Sequence, residues 1–380
     1  MRNQFLLDEK ITFLNHGSYG ACPKPVFEKY QFWQRELERQ PVIFQSRTVF
    51  EKLAESRQAL GEYIGCDADD VVFTPNPSTG INTVIKSLTL EAGSEILASD
   101  HEYGAMVRAW NLVTAKVGAR FIQREIPLPL TTPEAFIEHF WAGVTSKTRI
   151  IFLSHITSST ALIFPVAEIV QRARERGILT IIDGAHVPGQ IPLNLRALDP
   201  DVYVGSCNKW LCGPKGTAFL YVRKSLQSRI EPLVVSWGKD GSDPSKSAFV
   251  VDEQWAGTRD MSGFLVIPEA IRLVQSPEWQ TEQSRCRELV RTTRTKLLEY
   301  LKTDPLCPDD SHWLGQMAAV ELPVPAALPF KQALWEKFRI EVPVHQRKDD
   351  ILLRFSLQVY NTTEDAERLV VAVRELIRTD

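Results

Sequence analysis

Lys209 stands in the stretch Ser206-Cys207-Asn208-Lys209-Trp210-Leu211-Cys212-Gly213-Pro214-Lys215-Gly216, where an apolar run ends and a glycine-proline turn begins. An amine there can do covalent chemistry if partial burial beside a cationic ring keeps it neutral; the plainer role is a solvated loop lysine. Other reactive or polar groups follow apolar runs in the same way. Asp183 closes Leu179-Thr180-Ile181-Ile182, and a carboxylate after four largely apolar residues is partly buried and needs a positive partner. Ser78 and Thr79 follow Val71-Val72-Phe73 where a helix opens, so their hydroxyls and the helix-start amides suit an anion such as phosphate, or simply cap the helix. Tyr103 follows the run 95–98 and offers a ring face for stacking or for packing. Ser158 belongs to a hydroxyl-rich run after residues 150–153, suited to turn capping or to hydrogen bonding a phenolic oxygen. Ser206 and Asn208 flank the lysine as further anion donors.

Those residues can meet only if the runs before them are neighbouring strands. Amphipathic segments at 25–40 and 49–64 come first, then a strand at 71–74 and a helix opening near Thr79. Apolar strand-like runs follow at 95–98, 149–154, 179–183 and 202–205, with a helix over 166–176 ended by Gly177 and a returning strand at 216–222. The alternation predicts an α/β fold whose mainly parallel sheet is covered by helices on both faces, and such sheets bind ligands beyond the carboxyl ends of their strands. A Gly-, Ser-, Asp- and Lys-rich segment at 238–246 marks a change of character. Beyond it come helices at 263–275 and 282–302, short strands at 316–322 and 351–356, and a last helix from Thr363, which together predict a smaller α+β domain. The expected division is an N-terminal segment 1–20 that contributes to the site, a large domain 21–250 and a small domain 251–380.

Composition removes several functions. With 380 residues and a net charge of -3 the chain has no basic excess for nucleic acid, and no apolar run reaches membrane-spanning length. The first ten residues lack the apolar core of a signal peptide, so a cytoplasmic location is expected. Six scattered cysteines point to buried or incidental thiols and not to disulfides or zinc. Metal ligation by Asp183 and His186 lacks a further ligand cluster, so no metal is expected. Gly213-Pro214-Lys215-Gly216-Thr217 lacks the spacing and ending of a nucleotide P-loop.

One strand end thus offers an anion cradle, another an aromatic face, another an acid and another an amine, which is the inventory of a pyridoxal 5'-phosphate site. The chain resembles fold-type I pyridoxal-phosphate enzymes of the class V aminotransferase superfamily, and within it the isopenicillin N epimerase-like group, a relative of the cysteine desulfurases. The resemblance is carried by Phe13-Leu14-Asn15-His16-Gly17-Ser18-Tyr19-Gly20, Asn76-Pro77-Ser78-Thr79-Gly80-Ile81-Asn82, Glu102-Tyr103, Asp183-Gly184-Ala185-His186 and Asn208-Lys209-Trp210-Leu211-Cys212-Gly213-Pro214-Lys215-Gly216. Trp255-Ala256-Gly257-Thr258-Arg259-Asp260 and Arg354-Phe355-Ser356 through Tyr360-Asn361-Thr362 complete it. It implies that Lys209 carries the cofactor as a Schiff base and that Asp183 pairs with the pyridinium nitrogen. It further implies that Ser78, Thr79, Ser206 and Asn208 hold the phosphate, that Tyr103 stacks on the ring, and that His186 contacts the phenolic oxygen. Ser158 stands where many relatives have an asparagine. Thr258 matches a residue that reaches the phosphate of the neighbouring subunit, implying a homodimer with shared sites. Arg354 matches the arginine that grips a substrate α-carboxylate, and Asn15 and His16 resemble residues lining the substrate entrance.

The implied substrate is an amino acid, with Lys209 as general base at Cα after its displacement. Epimerisation, transamination and β-elimination all remain open at that point. The loop Val344-His345-Gln346-Arg347-Lys348-Asp349-Asp350 has no thiol where desulfurases carry a nucleophilic cysteine, which disfavours persulfide formation and leaves a direct C-S lyase as the alternative. His345 is either a second acid/base or a bystander. A non-catalytic protein that keeps the fold is the remaining reading, and the presence of both Lys209 and Asp183 argues against it.

Overall fold

The structure is a computed structural model that describes residues 1–239 and 247–378. Twelve strands are present among the described residues: β1 (Thr12–Phe13), β2 (Val71–Thr74), β3 (Glu95–Ser99), β4 (Arg120–Arg124), β5 (Thr148–Ser154), β6 (Leu179–Asp183), β7 (Val202–Ser206), β8 (Ala218–Val222), β9 (Met317–Glu321), β10 (Ile340–Glu341), β11 (Val344–Arg347) and β12 (Asp350–Ser356). Seven of them form one sheet in the order β2-β8-β7-β6-β5-β3-β4. Only β8 runs against its neighbours; the pairs β7·β6, β6·β5, β5·β3 and β3·β4 are parallel. The central strands are apolar on both sides because helices cover both faces, and β3, β7 and β8 are buried at every position.

The helices Lys24–Arg39 and Val49–Ile64 and the strands β2, β5, β6, β7 and β8 lie within a few residues of their expected places. Strand β4 had no expected counterpart. It is a sheet edge with Arg120 and Gln123 exposed, and this charge hides the apolar alternation while guarding the edge against pairing. The helix expected over 263–275 is two helices, Ser262–Leu265 and Ile267–Val274, separated at Val266. Of the segment read as a change of character, residues 240–246 lie outside the described residues.

A second sheet, antiparallel in the order β11-β12-β9, packs against the 25-residue helix Pro277–Leu301, which in turn packs on the final helix Thr363–Arg378. β11 occupies part of the stretch expected as a loop. The N-terminal segment reaches this second unit: β1 pairs parallel with β10, Thr12 against Ile340. The turn that follows therefore lies between the two sheets. Gly20, with φ +73°, passes so close to the Asn208 carbonyl that a Cβ could not fit. Among the described residues no helix is long and apolar enough to cross a membrane.

Candidate active site

The carboxyl ends of β5, β6 and β7, the start of the helix Pro77–Ser87, Tyr103, the turn 17–19 and Arg354 of β12 enclose a cavity of about 380 Å³. Register explains the convergence. Ser154 at the end of β5 is paired with Asp183 at the end of β6, and Asp183 with Val204 of β7, so the residues after these strands emerge side by side. Ser78, Tyr103, Ser158, Asp183, His186, Ser206, Asn208, Lys209 and Arg354 all line the cavity, together with Asn76 and Ser18.

The Lys209 nitrogen lies 3.1 Å from His186 Nε2. Its side chain is half-buried because the amine opens on the cavity, yet the surrounding protein pushes its pKa down to about 8: burial acts first and the Arg354 charge second, with Asp183 opposing both. Asp183 is 5% exposed. Burial raises its pKa, while the Ala185 N–H it accepts and the nearby Lys209 pull the other way. His186 is held neutral by burial, reinforced by Lys209, Arg354 and His16.

Arg354 is 5% exposed, and no carboxylate lies within ion-pair distance of it among the described residues. It donates through Nη1 to the Ser158 carbonyl, and through Nη2 to Ser18 Oγ at 3.0 Å and Asn15 Oδ1 at 3.4 Å. Burial lowers its pKa to about 10, so it stays charged at neutral pH. A buried guanidinium with neutral acceptors alone, facing a cavity, is a site for an anion.

Four residues stand differently from their expected roles. His16 is 0% exposed and outside the cavity lining: its Nε2 donates to the Lys209 carbonyl at 3.0 Å and its Nδ1 accepts from the Tyr360 hydroxyl at 3.0 Å. A ring enclosed behind the lysine backbone braces that backbone and lines no entrance. Thr79 is also outside the lining, because its hydroxyl and its N–H both donate to Asn76 Oδ1, at 3.1 and 2.8 Å. Asn76, not Ser78 or Thr79, caps the helix. Thr258 is exposed and away from its own chain's cavity. Asn15 sits behind the site, holding Arg354 Nη2 and donating to Glu341.

Sequence reasoning named Glu102 only as part of the Glu102-Tyr103 motif and gave it no role. It is buried and accepts from Ser99 Oγ at 2.5 Å, from Ser154 N at 2.9 Å and from Ser154 Oγ at 2.6 Å. Burial raises its pKa to about 8, partly offset by the serine bonds and reinforced by Asp183. The available signal was a carboxylate four residues beyond the apolar run Ile96-Leu97-Ala98, in a strand buried at every position. His345 is half-buried outside the cavity lining; its Nε2 has no hydrogen-bond partner among the described residues, and burial plus Arg354 keep it neutral, with its pKa lowered to about 4. None of the six cysteines lines the cavity; all are free thiols, and Cys207, Cys212, Cys286 and Cys307 are buried.

A doubly wound sheet whose strand ends gather a lysine, an enclosed aspartate and an uncompensated arginine defines a pyridoxal-phosphate enzyme of fold type I. The aminotransferase class-V family model matches residues 24–369. The chain belongs to that family. It is 36% identical to an isopenicillin N epimerase of Amycolatopsis lactamdurans over 99% of this chain and 97% of that one. It is 27% identical to a probable chloroplastic L-cysteine desulfhydrase of Arabidopsis thaliana, over 98% of this chain and 84% of that one. A solved mutant of the C-S lyase C-DES, with glycine covalently linked to its pyridoxal-phosphate cofactor, matches with a TM-score of 0.85 at 22% identity, over 99% of both chains.

Proposed function

We propose that the protein acts at the Cα of an amino acid, in the manner of an isopenicillin N epimerase-like enzyme, with Lys209 as the proton-carrying amine. The observation that carries this reading is the placement of Lys209, Asp183 and the uncompensated Arg354 on one cavity. When bound, pyridoxal phosphate supplies a pyridine ring that accepts electrons from the bonds at Cα. Asp183 fits a protonated ring nitrogen, because an enclosed carboxylate with no cationic bond partner among the described residues is completed by one N–H. Ser78, Ser206 and Asn208 supply phosphate donors, and the Asn208 amide is steadied by its bond to the Tyr19 carbonyl at 3.0 Å. Tyr103 would stack on the ring, and His186 would contact its phenolic oxygen. Arg354 fixes the α-carboxylate, and Lys209, neutral once above about pH 8, takes or returns the Cα proton.

Among the described residues no thiol lines the cavity, which supports a reaction without a cysteine nucleophile. A direct C-S lyase on a cysteine derivative is the second reading, favoured by the desulfhydrase relatives. A cytoplasmic homodimer with shared sites completes the proposal, with a domain boundary near residue 250. The exposed apolar run Leu233, Val234, Val235 and Trp237 and the exposed Thr258 support such an interface.

Purified protein given cofactor should be yellow, and Lys209→Ala should abolish or displace the visible band. Protein that stays colourless with cofactor refutes the reading. Incubation with amino acids in deuterated water then separates the reactions. Cα exchange with inversion marks an epimerase, pyruvate from a cysteine derivative a lyase, and conversion of the cofactor to its amine form an aminotransferase.

A further inference from the structure

Trp210 is completely buried next to Lys209, and its indole nitrogen lies 3.4 Å from His186 Nδ1. An indole N–H can only donate, so Nδ1 must present its lone pair. The His186 ring is neutral, and a neutral ring with a lone pair on Nδ1 carries its one proton on Nε2. That Nε2 lies 3.1 Å from the Lys209 nitrogen. A ring N–H can donate to an amine, which has a free lone pair, and not to an ammonium, which has none.

We propose that Trp210 is a positioning residue: its indole fixes His186 as the Nε2–H tautomer, which holds Lys209 as the neutral amine and later directs a donor at the cofactor's phenolic oxygen. The last clause rests on the proposed function; the first two do not. The groups facing Lys209 are Asp183 from the end of β6, His186 from the following turn and Arg354 from β12, with His16 behind His186. Arg354 and Asp183 act on the lysine in opposite directions through charge. Trp210 acts through the direction of one N–H.

The fold holds this tryptophan firmly. The His16 ring packs on it at 5.0 Å between centroids while bonding the Lys209 carbonyl, so one residue braces both members of the pair. On the other side Gly189, with φ +88°, lies against the Trp210 carbonyl so closely that a Cβ would overlap it. The indole nitrogens of Trp33, Trp110 and Trp279 are buried with no partner among the described residues, so a bonded indole is not simply what burial produces here.

The test uses the full-length chain stripped of cofactor and labelled with nitrogen-15 histidine, with His186 assigned through His186→Asn. Long-range proton–nitrogen correlation should show a protonated Nε2 and a bare Nδ1. In Trp210→Phe the signals should move toward a protonated Nδ1. Acetylation of Lys209, followed by mass spectrometry across the pH range, should then show a midpoint about one pH unit higher and labelling at pH 8 slowed about fivefold. A wild-type His186 protonated on Nδ1 overturns the proposal, even if Trp210→Phe fails to fold. A folded Trp210→Phe that keeps both the tautomer and the labelling midpoint overturns it too. Because the chain is tested without cofactor, failure of the colour test would leave these outcomes readable.

Discussion

Replacing Arg354 by methionine should weaken the hold on amino acids without weakening the fold. The guanidinium is enclosed with no counter-ion among the described residues, and burial alone takes its pKa from 12.5 to about 10. At about 1.4 kcal/mol per pH unit, keeping that charge costs the folded state about 3 kcal/mol. Methionine fills much of the same volume and removes the cost. The acceptors it releases are Ser18 Oγ, Asn15 Oδ1, which keeps the Ser18 hydroxyl as a donor at 2.5 Å, and the Ser158 carbonyl beside the cavity, where water can replace the arginine. The net effect should be a gain of about 1–3 kcal/mol, which for a chain of this length raises the melting temperature by about 1–4 °C. Binding should move the opposite way. Losing a bidentate charge-assisted pair to a carboxylate costs about 3–4 kcal/mol, so the Kd for an amino acid should rise about 150- to 1000-fold while that for the matching amine, which lacks the carboxylate, changes little. Spectral titration of the cofactor-loaded enzyme with both ligands reads the binding, and thermal unfolding of the cofactor-free chain reads the stability. A variant that still prefers the amino acid over its amine, or that melts several degrees lower, would refute the argument that Arg354 is kept for its anion.

Two further outcomes follow from buried ionisable groups. Lys209 titrates near 8 when folded and near 10.5 when unfolded, so the unfolded chain binds the extra proton between these values. Stability of the cofactor-free protein should therefore be penalised below pH 8 and recover by about 3 kcal/mol as pH rises toward 10.5; Lys209→Met should lack this recovery in denaturant titrations, and an identical pH profile in the two proteins would contradict the enclosure of the amine. Glu102 has the reverse slope, since its pKa is raised from 4.5 to about 8 and the folded state loses stability as pH climbs through that interval. Glu102→Gln, which mimics the protonated acid, should melt within a few degrees of wild type at pH 5 and above it at pH 9; a variant less stable at pH 9 would show that Glu102 is needed as a carboxylate.

The site was most legible where an apolar run ended in a group that could not itself be buried without a partner. Asp183 and Lys209 stood out for that reason, and the structure brings both to one cavity. Glu102, four residues beyond an apolar run, was given no role of its own, because its partners, Ser99 and Ser154, are hydroxyls on two strands whose adjacency is a matter of sheet order. Thr79 and His16 went the other way. Each sits in a suggestive motif, but local geometry assigns the Thr79 hydroxyl to Asn76 and encloses the His16 ring behind Lys209. Strand β4 was hidden because an edge strand with Arg120 and Gln123 exposed carries little apolar signal.

By itself the sequence determined the alternation of strand and helix, the sheet-based fold it requires and the residue types delivered to the strand ends. Those follow from periodicity and from the cost of burying polar groups, which act within a dozen residues. Only the tertiary structure decided which strand ends are neighbours, that Arg354 from a different sheet reaches the lysine's cavity without a counter-ion, and that Trp210 and His186 meet through a single N–H. Each of these is a contact between residues far apart in the chain or a direction of one hydrogen bond. Composition and spacing do not encode either, because burial and bond direction arise only when the elements pack.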